Sequence, residues 1–428
     1  MSSRVQPPEP QAITHRYSLS ATTSKVLSCI DAAKIRNSVA GVGAWLDAAS
    51  AATGFAGGCY RTSLHHENGE ITWMYPYSNT TEIISAWLDI AEILEEPGHV
   101  RKAEAYGARI LEDPVKGLYG GEQESGRGMM YYWRNDGTYT GGYSMRAPES
   151  FRRLHAATGD QRFLDASDVI GRAFLKRILP SGIVNMVGWC PKQGFILADV
   201  VGSRYVYPVS TFALLFEMTT DPVYREAYEQ VVEATLKMQQ PDGSFFQHYR
   251  SETRAVPDAS IKIHFFAYIF NALAEAYSVF KDDRLVQCGR RMGDFLAKHF
   301  YYLQQLPYAL QSDFATDRTE AASAVQDSAN GLLWLYEVTG ETVYLDMGAK
   351  LWLQAWLGQV DNPSLPGWHG ALLRGMNPDL TPEMAAGFDG THLEYVPSRT
   401  GRCEVWFATN HVFAARRLLR LLSKNSRL

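Results

Sequence analysis

Four segments, Thr158-Gly159-Asp160, Thr220-Asp221-Pro222, Lys281-Asp282-Asp283 and Thr339-Gly340-Glu341, are copies of one short polar turn, and Glu96-Pro97-Gly98-His99 is an earlier fifth. Gly98 to Gly159 is 61 residues, Asp160 to Asp221 is 61, Asp221 to Asp283 is 62, and the step on to Glu341 is 58. Each turn leads into a similar stretch: Arg162-Phe163-Leu164-Asp165, Tyr224-Arg225-Glu226-Ala227, Arg284-Leu285-Val286 and Tyr344-Leu345-Asp346. An acidic, Gly or Thr residue caps a helix, and an aromatic or aliphatic residue a few places later begins its buried face. A self-similar period near sixty residues is the signature of a repeat architecture.

The flanks of each turn have helical period. Ile83, Ile84, Trp87, Leu88, Ile90, Ala91 and Leu94 form a wide apolar face before the first turn. Phe212, Leu214, Leu215 and Phe216 do so before the third, and Leu332, Leu333, Leu335 and Tyr336 before the fifth. The pattern predicts twelve helices over about 24–51, 79–95, 98–112, 143–158, 160–177, 205–219, 221–240, 258–279, 282–300, 321–339, 341–359 and 408–424. Twelve helices in six hairpins point to an all-α, closed (α/α)6 toroid. The competing arrangement is an open solenoid of the HEAT or TPR type, whose repeats are shorter, roughly 34–47 residues. Residues 1–23 are read as an N-terminal tail and 24–428 as a single toroid domain.

Composition narrows the class. The chain has 428 residues, 46% hydrophobic and 20% charged, with a net charge of −5. That much apolar surface excludes a disordered polymer. With no basic surplus, a nucleic-acid partner is not expected. Cys29, Cys59, Cys190, Cys288 and Cys403 are scattered, with no C-x-x-C pair, which fits neither a disulfide framework nor a thiolate zinc site. The first twenty residues lack the apolar core of a signal peptide. The most apolar stretch, Ile261 to Phe280, includes Lys262, His264, Asn271 and Glu275, so no membrane span is expected. A cytoplasmic protein with neither metal nor cofactor is the expectation.

The connections alternate in length. The turns above are short, whereas those at about 52–78, 113–142, 178–204, 241–257, 301–320 and 360–407 are long, and all six lead into the even-numbered helices. Long connections in a compact fold seldom lack a function. If the even helices form an inner ring, their N-termini and the long loops share one rim around one cleft. Those loops mix aromatic residues with polar ones. Aromatic faces stack on sugar C–H faces, while carboxylates and guanidinium groups bond hydroxyls. Trp73, Tyr77, Asn79, Trp133, Arg146, Trp189, Arg204, Tyr205, Lys262, Trp368 and Trp406 are therefore the expected substrate-binding residues. An oligosaccharide or other small molecule is the expected partner.

Glycoside hydrolysis needs two carboxyl groups across the scissile bond. The candidates are Glu82, Glu149, Asp258, Asp327, Asp389, Glu394 and Glu404, of which Asp327 and Glu82 are singled out as the general acid/base pair, with either one open to either role, supported by Tyr143 and His264. Uronate lyase or epimerase chemistry needs a base, an acid and a cation to hold the carboxylate, roles open to Tyr143, Arg146, Arg204, His264 and His411. Isoprenoid cyclisation needs an acidic Asp in a dry aromatic cavity. A module that binds a glycan without reacting it would keep the aromatic shelf but lack a close pair of perturbed ionisable groups.

Over residues 24–424 the repeating pattern resembles the six-hairpin (α/α)6 toroid superfamily, which includes glycoside hydrolases, polysaccharide lyases, sugar epimerases and squalene-cyclase-like domains. Trp73-Met74-Tyr75-Pro76-Tyr77-Ser78-Asn79-Thr80-Thr81-Glu82-Ile83-Ile84 is similar to the Y-P-E-T-T-G-Y-I stretch of bacterial toroid proteins, with Tyr77 where their Glu lies and two residues inserted before Thr80. Gln239-Gln240-Pro241-Asp242-Gly243-Ser244-Phe245 resembles the Q-x-x-D-G-S-W repeat of cyclases, although no D-x-D-D acid motif accompanies it. The chain also resembles the N-acylglucosamine 2-epimerase family by position. That likeness implies acid/base roles for His264 and His411 on the eighth and twelfth helices, although Ala267 stands where the family's G-H-x-x-E has its Glu. The superfamily resemblance implies a carbohydrate-active enzyme, a glycoside hydrolase or lyase acting on an oligosaccharide, including acidic ones.

Overall fold

The computed structural model describes residues 30–54, 61–65, 70–74, 81–112, 130–131, 139–140, 144–185, 188–190, 194–303, 309–310, 321–357, 359–361, 363, 369–372 and 400–425. Among them are twelve α-helices: α1 (Ala32–Thr53), α2 (Glu82–Leu94), α3 (Gly98–Glu112), α4 (Ala147–Thr158), α5 (Arg162–Leu175), α6 (Pro208–Thr219), α7 (Pro222–Met238), α8 (His264–Phe280), α9 (Asp283–Leu303), α10 (Ala321–Thr339), α11 (Thr342–Leu357) and α12 (Val405–Asn425). The order and number agree with the sequence pattern. Several starts are later than expected for local reasons. Pro148 and Pro208 sit in the first turns of α4 and α6, where a missing N–H costs nothing. A short strand at Ile261–Lys262 holds the chain extended just before α8.

The five short turns share one backbone device. Glu95, Gly159, Thr220, Lys281 and Gly340 all adopt the left-handed conformation, with φ between 52° and 76°. Each closes its helix by donating its N–H to a carbonyl four residues back. In three turns a threonine locks the bend. The hydroxyls of Thr158, Thr219 and Thr339 donate to the carbonyls of Leu154, Leu215 and Leu335 and accept from the N–H groups of Asp160, Asp221 and Glu341. A Cβ at Gly159 would meet nothing within 4 Å, so Gly159→Ala tests the dihedral cost alone. The expected loss is ~1 kcal/mol in a urea titration, from the left-handed penalty on an L side chain.

The ring closes. The inner helices α2, α4, α6, α8, α10 and α12 each pack on the next, and α12 packs back on α2. The odd-numbered helices lie outside them, and the apolar core fills the space between the two rings. Trp45, Trp87, Trp352, Tyr224 and Tyr344 are fully buried there. The inward faces are polar instead and bridge neighbouring helices. Arg153 on α4 meets Asp89 on α2, which also holds Arg416 of α12 at 3.2 Å. Arg152 bonds Glu217 of α6 at 2.9 Å, Asn330 of α10 donates to Asn271 of α8 at 2.9 Å, and Arg417 of α12 meets Glu337 of α10. An open solenoid has no such seam between its first and last inner helices.

The long connections carry strands that the sequence pattern did not reveal. A three-stranded antiparallel sheet joins β1 (Arg61–His65) to β2 (Glu70–Met74) and to β11 (Thr400–Glu404), with Arg61 opposite Glu404. It ties the first rim loop to the last. Between them in the chain come β3 (Met130–Tyr131), β4 (Tyr139–Thr140), β5 (Gly188–Cys190), β6 (Gly194–Ile196), β7 (Val200–Gly202), β8 (His248–Arg250), β9 (Ile261–Lys262) and β10 (Ala309–Leu310). Strands β3 to β6 form one sheet, β7 pairs with β8, and β9 pairs with β10. Each of these sheets joins loops that are neighbours around the rim. Strands of two to five residues leave too little alternation to be read locally, and several find a partner only in another loop.

Candidate functional site

Counting back from the left-handed caps shows how the repeat builds a floor. Glu82, Arg146, Tyr207 and Tyr268 each lie thirteen residues before the cap of their own hairpin. Their side chains meet. The Arg146 guanidinium forms an ion pair with the Glu82 carboxylate, lies 4.1 Å over the Tyr268 ring and 5.5 Å from the Tyr207 ring. Helices α4 and α8 are separated by α6, so the Arg146–Tyr268 contact crosses the lumen. Glu82 is 6% exposed and Arg146 3%, so this pair forms a buried floor at the inner-helix starts. Burial disfavours the guanidinium charge, and Arg204 nearby adds to that, so Arg146 is held below the usual arginine value.

Above the floor the groups are half-buried and basic. Arg204 lies 5.8 Å from the Tyr205 ring and 5.5 Å from the Phe265 ring, and Lys262 lies 5.1 Å from Phe265. His264 stacks edge-on to Tyr268 at 5.3 Å, with its Nε2 3.5 Å from the Tyr268 hydroxyl. Arg204 rides on the short 3-10 turn Ser203–Val206, while Lys262 and His264 flank the start of α8. Arg204 and Lys262 at the Phe265 ring, with Arg146 over Tyr268, suit an anionic group carried on a sugar.

One helical turn below Arg146, the Tyr207 hydroxyl donates to Glu149 at 2.9 Å. Burial, reinforced by the neighbouring carboxylate of Glu275, raises Glu149 to about 7. Glu149 was one of seven carboxylates considered from the sequence and was not singled out. The available signal was its register. Ser85, Glu149, Ser210, Asn271 and Asn330 all lie ten residues before their caps and form a second polar layer.

Other expected residues are placed elsewhere. His411 is not an acid/base partner for His264. It is fully buried between α12 and the outer helices, stacked at 4.9 Å on Trp352 of α11, with Nε2 2.8 Å from Ser38 Oγ of α1. Burial alone drives it down to about 3, so it stays neutral. Glu82, expected to move protons, is engaged by the Arg146 guanidinium in a buried ion pair. Asp258 caps the Ser260 N–H at 2.7 Å, and that bond lowers it. The Gln239–Phe245 stretch is a structural turn. Gly243 has φ 92°, Gln239 Nε2 reaches the Cys288 carbonyl at 2.9 Å, and Asp242 caps Ser244. The floor around Arg146 is also too charged for isoprenoid cyclisation. Tyr77, Asn79, Trp133, Tyr143 and Trp368 lie outside the described residues. Trp73 lies on β2, Trp189 on β5, Trp406 in the first turn of α12 and Asp327 on α10, and only their backbones are described. Asp327 stands thirteen residues before Gly340, in the register of the four floor residues.

A closed double ring of six hairpins with its polar floor at the inner-helix starts defines a six-hairpin (α/α)6 toroid. Residues 172–377 match the family model of the β-L-arabinofuranosidase GH127 catalytic domain. An unsaturated glucuronyl hydrolase specific for heparin superposes with a TM-score of 0.67 at 12% identity, covering 92% of this chain and 99% of its own. The unsaturated glucuronyl hydrolase of Bacillus sp. GL1 gives 0.62 at 14% identity, covering 91% and 97%. The cellobiose 2-epimerase of Spirochaeta thermophila gives 0.60 at 16% identity, covering 81% and 87%. At these identities the likeness is one of fold. No curated protein sequence matches the chain.

Proposed function

We propose that this protein is a glycoside hydrolase that cleaves an acidic oligosaccharide at the basic floor of the toroid. The observation that carries this reading is the convergence of Arg146, Arg204 and Lys262 around Tyr268 and Phe265. A sugar carboxylate bonds the cations while its ring stacks on an aromatic face. The family match lends support, since 172–377 spans Arg204, Lys262, His264 and Asp327. So do the glucuronyl hydrolases among the structural neighbours.

In this reading Asp327 gives a proton to the glycosidic oxygen as the bond to the anomeric carbon breaks. Water supplies the new C–O bond and loses a proton to the second carboxyl. Glu82 fills that second role when the arriving uronate competes for Arg146 and loosens the ion pair. Tyr143 and His264 support the substrate, together with the expected aromatic and polar residues Trp73, Tyr77, Asn79, Trp133, Trp189, Tyr205, Trp368 and Trp406. Among the described residues no helix is long and apolar enough to cross a membrane. The scattered cysteines, of which Cys288 is free and buried, support a cytoplasmic location.

The test is product analysis after incubation with uronate-containing and neutral oligosaccharides. Hydrolysis releases new reducing ends from the acidic substrates. An unsaturated product would instead mean elimination, and an altered sugar with no cleavage would mean epimerisation. Cleavage confined to the neutral oligosaccharides would overturn the acidic specificity.

A further inference from the structure

Glu149 takes no part in the chemistry proposed above, yet it is built into the base of the site. Tyr207 of α6 donates to its Oε2 at 2.9 Å, and the same Tyr207 ring lies 5.5 Å from the Arg146 guanidinium. Within α4, Arg153 is committed to Asp89 of α2, and Arg152 to Glu217 of α6 at 2.9 Å. From α8 come Glu275, 3.8 Å from Arg152, and Tyr268 under Arg146. Arg416 of α12 shares Asp89 at 3.2 Å, and Glu82 of α2 holds Arg146. The nearby cations therefore already have carboxylate partners, and Glu149 has a tyrosine.

We propose that Glu149 is an electrostatic tuning residue: by gaining or losing its proton one turn beneath Arg146, it sets the net charge of the basic floor and hence its hold on an anionic ligand. This deepens the acidic-sugar reading and, for the sugar itself, rests on it. With its carboxyl raised to about 7, Glu149 is neutral in mildly acidic solution and anionic above neutrality. The floor thus offers its full positive charge at pH 6 and one unit less at pH 8. One unit charge a helical turn or two from a bound monoanion, at the effective dielectric of a protein interior, separates the affinities of the fully neutral and fully ionised forms by roughly ten- to a hundredfold, of which the span from pH 6 to pH 8 samples about five- to tenfold.

The experiment measures binding of D-glucuronate and, separately, of inorganic sulfate by calorimetry from pH 6 to pH 8, a range in which neither probe titrates. Wild-type affinity for both is expected to fall about five- to tenfold, and the fall to be much shallower in Glu149→Gln, the His264 imidazole being common to both proteins. Tyr207→Phe, which removes a bond that favours the ionised carboxyl, is expected to move the fall to higher pH. It also provides a second variant should Glu149→Gln fold poorly. A fall seen with sulfate but no glucuronate binding at any pH supports the tuning role and overturns the sugar reading. Identical profiles in wild type and Glu149→Gln, or no binding of either anion, overturn the tuning role. A ligand-free measurement checks the titration itself. A carboxyl raised on folding stabilises fully below its unfolded value and loses that contribution as pH rises through its folded value. The melting temperature of the wild type relative to Glu149→Gln should therefore fall between about pH 4.5 and pH 7 and level off above.

Discussion

Arg146→Met is expected to cost about 3–5 kcal/mol of folding stability, the largest effect of any single change at the floor. Removing the guanidinium leaves the Glu82 carboxylate buried, 6% exposed, without its cation. The substitution also removes the cation stacked on Tyr268 at 4.1 Å. Much of the loss is the penalty on the abandoned partner rather than the net worth of the pair. The double variant Glu82→Gln/Arg146→Met should therefore recover a large part of it. Arg146→Lys should recover little, because an ammonium on a flexible stem cannot bond Glu82 and lie flat on Tyr268 together. Urea titrations of the wild type, Glu82→Gln, Arg146→Met and the double variant form the thermodynamic cycle. A single-variant loss below about 1 kcal/mol would mean that the pair is hydrated and the floor open.

Asp327→Asn is expected to lower kcat on the true substrate by ~10² or more, with KM changed far less and the melting temperature retained. Asparagine keeps the shape and removes the ionisable carboxyl. A group that acts in the transition state affects kcat, whereas one that only binds affects KM. The physical ground for the choice is the register. Four of the five residues thirteen positions before a cap, Glu82, Arg146, Tyr207 and Tyr268, converge in the lumen, and Asp327 is the fifth. An unchanged kcat in a folded Asp327→Asn protein would remove the assignment and return the choice to the remaining carboxylates.

Much of the site was legible because it is repetitive. Polar residues at the starts of inner helices drew attention to Glu82, Arg146, Arg204, Lys262 and His264, and these lie together. His411 was misread by the same reasoning. A polar residue early in an inner helix can turn toward the lumen or toward the outer ring, and helical period alone does not distinguish the two faces. Trp352 and Ser38, 59 and 373 residues away in the chain, decide that it turns outward. The strands of the rim escaped notice because they are only two to five residues long, and the sheet that holds β1 is completed by β11, with Arg61 opposite Glu404, from the far end of the chain. Glu149 looked like any helical glutamate until Tyr207 and Glu275 closed around it.

The hairpin count, the short turns and the rim that carries the long loops were all written in local order. A left-handed cap and an amphipathic helix are decided by neighbours within a few residues, and the period repeats that decision. Ring closure, the pairing of Glu82 with Arg146, the outward turn of His411 and the displaced acidity of Glu149 came only with the folded chain. Each depends on which charged or polar groups from separate hairpins end up within a few ångströms of one another with water excluded.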